Sequence, residues 1–149
     1  MSYAAAVAAT WSGPAPDSIT AWLLVQTGHV VGRRFRQALA DCGVSPTQFG
    51  VLLELDLHPG LANAEIARVV MVTPQSMSEL LTSLLELGLI DRTPSAGRGH
   101  RLPAQLTADG RRVLAHCQTA VATVQDSLAL DQADTQQLNV LLHRILGTS

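Results

Sequence analysis

Between Thr73 and Thr82 the chain sets Gln75, Ser76, Ser78, Glu79 and Thr82 among the apolar Met77, Leu80 and Leu81. At 3.6 residues per turn the apolar set shares one helical face, and the polar set is left on the other. Short amides, hydroxyls and a carboxylate on such a face are the groups that reach base edges and phosphates. An amide such as Gln75 matches adenine bidentately, while Ser76 and the open N-terminal amides of a helix suit a phosphate. Some twenty residues on, Arg98, His100 and Arg101 sit among Gly97 and Gly99. Arginine on a glycine-rich tip gains from counterion release and from the negative potential of a narrow minor groove.

The charge distribution agrees with that chemistry, although the total does not. Net charge is −2, and all ten basic residues are arginine. Five of them (Arg92, Arg98, Arg101, Arg111, Arg112) fall within 92–112 against the single acid Asp109, a local net of +4. The acids Asp126, Asp131 and Asp134 gather towards the C-terminus. A basic segment of this kind is the electrostatic footprint of a polyanionic partner.

Other chemistries find less support. The five histidines, His29, His58, His100, His116 and His143, form no local ligand pair, and Cys42 and Cys117 complete none, so neither metal nor cofactor is expected. The two cysteines lie far apart in sequence and suggest no disulfide framework. No Ser–His–Asp order, paired-carboxylate site or phosphate loop stands out, so an enzyme is not expected.

Several elements must position these groups. Asp17 or Ser18 is expected to cap a first helix through Ile19, Trp22, Val25, Val30, Phe35 and Leu39, ending at Gly43. Ser45-Pro46 opens a second, with Phe49, Leu52, Leu53 and Leu57 as its buried stripe and Pro59-Gly60 as its stop. A short third helix covers about 63–70. Thr73-Pro74 starts a fourth, turned inward by Met77, Leu80, Leu81 and Leu84 and ended by Gly88. Strands are expected at 89–92 and 101–106 around a loop, and Pro103 marks an edge strand. Thr107 caps a fifth helix carrying Cys117, Val121, Val124 and Leu128. A sixth from Asp131 carries Leu138, Leu141, Leu142 and Ile145 at i, i+3, i+4 and i+7.

Helices three and four have the proportions of a helix-turn-helix, which presents the start of its second helix to the major groove. Such corners are common in helical proteins, and the arginine-bearing hairpin directly after this one is what narrows the reading. The runs Asn63-Ala64-Glu65-Ile66-Ala67, Val72-Thr73-Pro74-Gln75-Ser76-Met77, Gly88-Leu89-Ile90-Asp91-Arg92 and Leu106-Thr107-Ala108-Asp109-Gly110 resemble the winged helix of the MarR family of transcriptional regulators, and the likeness spans about 18–147. Three positions depart from the family pattern. Arg98-Gly99-His100-Arg101 lacks the usual acid, Glu79 stands where a basic residue is common, and Ala62 replaces the Ser or Thr cap, leaving Asn63 as its substitute.

The resemblance implies a mainly α fold with a small β-wing: a winged helix-turn-helix flanked by N- and C-terminal dimerisation helices. The organisation expected is an arm at 1–16, a first dimerisation helix at 17–44, a DNA-binding domain at 45–110 and C-terminal dimerisation helices at 111–149. The homodimer would bind a double-stranded, pseudo-palindromic operator through Asn63, Thr73, Gln75, Ser76, Ser78, Glu79, Thr82, Arg98, His100 and Arg101. The 47% hydrophobic content and mean hydropathy of +0.22 fit surface covered by a second copy. No run approaches the roughly 18 apolar residues of a membrane span, and the alanine-rich start lacks a signal peptide's basic region, so a cytoplasmic protein without a membrane partner is expected.

The family also implies a small aromatic or phenolic inducer. Trp22, His29, Arg33 and His116 offer aromatic, polar and cationic contacts for one, while Trp22 serves equally well as dimer core. Two alternatives stand beside this reading. One is a protein-interaction module using the winged-helix surface without DNA, motivated by Glu79 and by the lack of any basic residue between Val69 and Asp91. The other is redox sensing through Cys42 or Cys117, although Cys117 on an apolar helix face reads as a small buried hydrophobe.

Overall fold

Ser45 and Pro46 begin helix α2 (Pro46–Leu57) with a reciprocal cap in the computed structural model, which describes residues 10–92 and 103–148. The Ser45 hydroxyl accepts from the Gln48 amide at 3.1 Å, and the Gln48 side-chain oxygen accepts from the Ser45 amide at 2.9 Å. Two of the amides that a helix start leaves without partners are thereby satisfied.

The first helix, α1 (Thr20–Ala40), differs from expectation at both ends. Pro16–Ser18 form a 3-10 turn in which the Ser18 hydroxyl donates to the Ala15 carbonyl, so it does not cap α1. The last α-helical residue is Ala40, and Gly43 follows in a turn at φ +74°. The chain divides after Arg33 into two compact units, and α1 runs through that division. The first unit exposes Trp22, Leu23, Val25 and Val30 along α1.

The second unit holds the core. Helix α3 (Asn63–Val69) does not use Asn63 as its cap. Ala62 occupies that position, and the Glu65 carboxylate accepts from its amide at 2.9 Å. Asn63 is already the first helical residue, and the capping geometry belongs to the residue before it. Met71 makes the tight turn at φ +58°, and Thr73 caps α4 (Pro74–Glu86) by accepting from the Ser76 amide. At its far end Gly88 takes φ +69°, while Leu89 and Gly88 donate to the Leu84 and Leu85 carbonyls. That pairing is a Schellman stop, and glycine meets its left-handed position without a Cβ penalty.

Strands β1 (Ile90–Arg92) and β2 (Ala104–Leu106) pair antiparallel with Ile90 opposite Leu106. Pro103, expected within an edge strand, instead lies just before β2, and among the described residues the sheet has two strands. Thr107 then joins three segments. Its hydroxyl donates to the Gly88 carbonyl at 2.7 Å and accepts from Gly110 at 3.0 Å, capping α5 (Ala108–Asp126), while its amide bonds Leu89. Asp131 caps α6 (Gln132–Leu146) through the Asp134 amide.

Helix α2 packs against α5 and β2, α3 against α4, and α4 against β1. Leu39, Val51, Leu52, Ile66, Met77, Leu81, Leu84 and Cys117 are fully buried between them. The expected stripe of α2 is rotated. Val51, Leu52 and Leu55 are buried, Phe49 and Leu53 lie at the margin, and Leu57 is 59% exposed. The helix faces α5 and β2 together, so the buried arc follows those two neighbours. Leu128 lies beyond the end of α5 at Asp126. On α6 the periodic residues Leu138, Leu141 and Ile145 are exposed. Among the described residues no helix is long and apolar enough to cross a membrane.

Candidate nucleic-acid interface

The apolar face of α4 is fixed by Met77, Leu81 and Leu84 in the core, with Leu80 at its edge. The opposite face therefore points outward: Gln75, Ser78, Glu79 and Thr82 are exposed, and Ser76 is half-buried. Thr73 is exposed at the cap, and Asn63 is half-buried at the start of α3. One outward surface at the helix-turn-helix thus carries the polar set singled out from the sequence.

Hydrogen bonding divides that set. The Ser78 hydroxyl donates to the Pro74 carbonyl at 3.1 Å and Thr82 donates to Ser78 at 3.0 Å. Thr73 donates to the Ser76 hydroxyl at 3.1 Å. With their hydrogens turned back onto the helix, Ser78 and Thr82 present acceptor lone pairs outward. The side chains of Gln75 and Glu79 form no hydrogen bond or ion pair among the described residues.

Gln48 positions the helix from behind, and no sequence signal marked it for that role. Its side-chain nitrogen donates to the Ser83 hydroxyl at 2.9 Å while its oxygen holds the α2 cap. The Ser-x-x-Gln capping pattern was legible, but the contact 35 residues away was not. Between the two helices lies a shallow groove of about 390 Å³ lined by Ser45, Thr47, Ser76, Glu79 and Ser83, among others.

Arg98, His100 and Arg101 lie outside the described residues. Of the other basic residues in that segment, Arg92 is exposed on β1, and Arg111 and Arg112 are exposed at the start of α5, where Arg112 pairs with Asp109. Farther off, the Arg34 guanidinium donates to the Ser127 carbonyl at 3.1 Å, setting a cation on the C-terminus of α5. Trp22, His29 and Arg33 are exposed on α1 in the first unit, and His116 is exposed on α5 in the second.

The cysteines, separate in sequence, are neighbours in the fold. Cys117 is fully buried, and the half-buried Cys42 packs against the same core. Burial above all, then the hydrogen bond and charge interaction with Cys42, push the Cys117 thiol up to about 12.

Comparison with known proteins accords with this architecture. A model of the MarR family matches residues 43–99. The HTH-type transcriptional repressor Rv2887 of Mycobacterium tuberculosis is 37% identical over 125 residues, 84% of this chain and 89% of that protein. The structure of the M. tuberculosis MarR family protein Rv2887 in complex with salicylic acid aligns with a TM-score of 0.71 at 30% identity, covering 91% of this chain and 99% of that one. A transcriptional repressor, CouR, bound to p-coumaroyl-CoA aligns with a TM-score of 0.76 at 30% identity over 87% of this chain and 92% of that one. With the winged helix, its polar outward face and a repressor related along most of its length in agreement, the chain belongs to the MarR family.

Proposed function

We propose that this protein is a cytoplasmic homodimeric repressor that binds a pseudo-palindromic operator and is released from it by a small aromatic acid or phenol. The observation that carries the reading is the outward polar face of α4, buttressed by Gln48 and capped by Thr73. In a two-fold dimer, one such face enters each of two successive major grooves. Gln75 is assigned to base edges, with Asn63, Thr73, Ser76, Ser78, Glu79 and Thr82 around it. Arg98, His100 and Arg101 are assigned to the backbone and minor groove beside it.

Exposure of Leu138, Leu141 and Ile145 on α6, and of Trp22, Leu23 and Val25 on α1, supports dimerisation, since apolar rows of this kind are covered by a partner. The related structures with salicylic acid and p-coumaroyl-CoA support the ligand class. Trp22, His29, Arg33 and His116 are the proposed contacts, each separable by its own substitution. The ligand lowers operator affinity by as much as it prefers the DNA-free conformation. Sensing of oxidants at Cys117 is disfavoured, because a thiol raised to about 12 is almost wholly protonated near neutrality and the thiolate is the reactive form.

Fluorescence anisotropy with duplex from the protein's own upstream region, at several salt concentrations and against unrelated competitor, tests this reading. Saturation at one dimer per site, surviving competitor and reversed by salicylate or a hydroxycinnamate, is expected. Binding no tighter than to unrelated duplex at low salt, together with failure to enrich any genomic fragment, would transfer the winged-helix surface to a protein partner.

A further inference from the structure

Glu79 is anomalous for a surface that meets DNA. Its carboxylate is exposed on the outward face of α4, and no hydrogen bond or ion pair engages it among the described residues. The chain has no basic residue between Arg68 and Arg92, so α4 itself supplies no compensating cation. A carboxylate carried into a groove walled by phosphates is repelled by both strands. Among the bases, it lowers the free energy of a complex where one offers it an N–H donor.

Two bases offer one in the major groove, and their surroundings differ. The adenine amino group lies between two acceptors, its own N7 and the O4 of the paired thymine. A carboxylate there meets a lone pair on either side. The cytosine amino group has the guanine O6 on one side only, and its outer side is the non-polar C5 edge. A carboxylate approaching from that outer side accepts the hydrogen bond without facing a second acceptor.

We infer that Glu79 is a specificity-determining residue that selects cytosine at one position of each operator half-site. The inference rests on the operator-binding reading and adds a base identity to it. Gln75 stands one helical turn earlier on the same face, about 6 Å along the axis. An amide there favours adenine. At about 3.4 Å per base step, the two contacts fall one or two steps apart. Each half-site should therefore carry an adenine and a cytosine in adjacent or next-adjacent positions, on either strand. Ser78 and Thr82, whose hydroxyls donate back onto α4, turn acceptors rather than donors towards these steps.

Selection from a randomised duplex library, sequenced after binding to the full-length protein, provides the test. The unmodified protein should fix a cytosine in each half-site. Glu79→Ala should lose that preference by about tenfold or more and bind unrelated duplex more tightly, because a repulsive charge is gone. Glu79→Gln should move the same position towards adenine. Glu79 is exposed, so both variants should unfold at the unmodified temperature, and this is checked by circular dichroism. If Glu79→Ala keeps the cytosine while its affinity for every duplex rises in parallel, the residue is an electrostatic brake and the inference is overturned. If the unmodified protein enriches a half-site without cytosine, the inference alone falls. If it enriches no sequence, operator binding itself falls and takes the inference with it.

Discussion

The Gln48 side-chain nitrogen donates to the Ser83 hydroxyl across 2.9 Å, joining the first turn of α2 to the last turn of α4. The contact makes the orientation of the outward face of α4 depend on a residue that is not on it. Ser83→Ala should cost about 0.5–1.5 kcal/mol, one neutral hydrogen bond. Gln48→Ala also removes the reciprocal half of the α2 cap and should cost about 1–2 kcal/mol. Urea unfolding of the two single variants and the double variant measures the coupling. Strict additivity would mean that the bond contributes nothing to holding α4.

Thr107 and Gly110 form a second joint, where the wing meets α5. Thr107→Ala deprives the Gly110 amide and the Gly88 carbonyl of their partner and should lower stability by about 1–2 kcal/mol, with Thr107→Ser retaining most of it. Gly110→Ala should be worse. Its Cβ would run into the Leu89 carbonyl oxygen, a backbone atom that cannot swing aside. We expect a loss at or beyond the upper end of the about 1–3 kcal/mol typical of overpacking. A Gly110→Ala protein with an unchanged urea midpoint would contradict the close approach of α5 to the wing.

On the operator, the α4 and wing residues should separate by what they change. Gln75→Ala should alter base preference at one position per half-site while leaving the salt slope intact. Arg98→Ala and Arg101→Ala should each weaken binding across sequences and flatten the slope of log K against log salt by about 1. Arginine variants with unchanged affinity and slope would remove the wing from the interface.

Cys117 gives stability a defined pH dependence. Its thiol is raised from 9.0 to about 12 in the folded chain, so above the unfolded value the unfolded chain binds fewer protons than the native one. Stability from this group is therefore complete below pH 9 and falls as pH rises from 9 through about 12. Urea midpoints measured against pH should decline more steeply over that window in the unmodified protein than in Cys117→Ala. At neutral pH a thiol-alkylating reagent should modify half-buried Cys42 well before Cys117. Rapid labelling of Cys117 in the native protein would show that its thiol is neither shielded nor raised.

Much of this architecture was legible from local chemistry. Ser45-Pro46, Thr73-Pro74, Thr107 and Asp131 announce helix starts because capping is decided within three or four residues. Gly88 announces a stop because a left-handed φ excludes most other residues there. The period of Met77, Leu81 and Leu84 sets which face of α4 is polar, so Gln75 and Glu79 could be placed outward before any packing was known. Likeness in four short runs was enough to indicate the family.

Only the tertiary structure decided what depends on neighbours distant in sequence. The buried arc of α2 shifted to Val51, Leu52 and Leu55 because α5 and β2 cover it together, which no periodicity within α2 encodes. The cap of α3 is the exception, a purely local matter: Glu65, three residues on, bonds the Ala62 amide, so Ala62 and not Asn63 takes that position. The bond from Gln48 to Ser83, the Thr107 joint and the contact of Cys42 with Cys117 each link segments tens of residues apart. Local sequence fixes the φ, ψ and caps of an element because those energies act over one helical turn. Which faces then meet is set by burial of apolar surface over the whole chain, a sum that no short window contains.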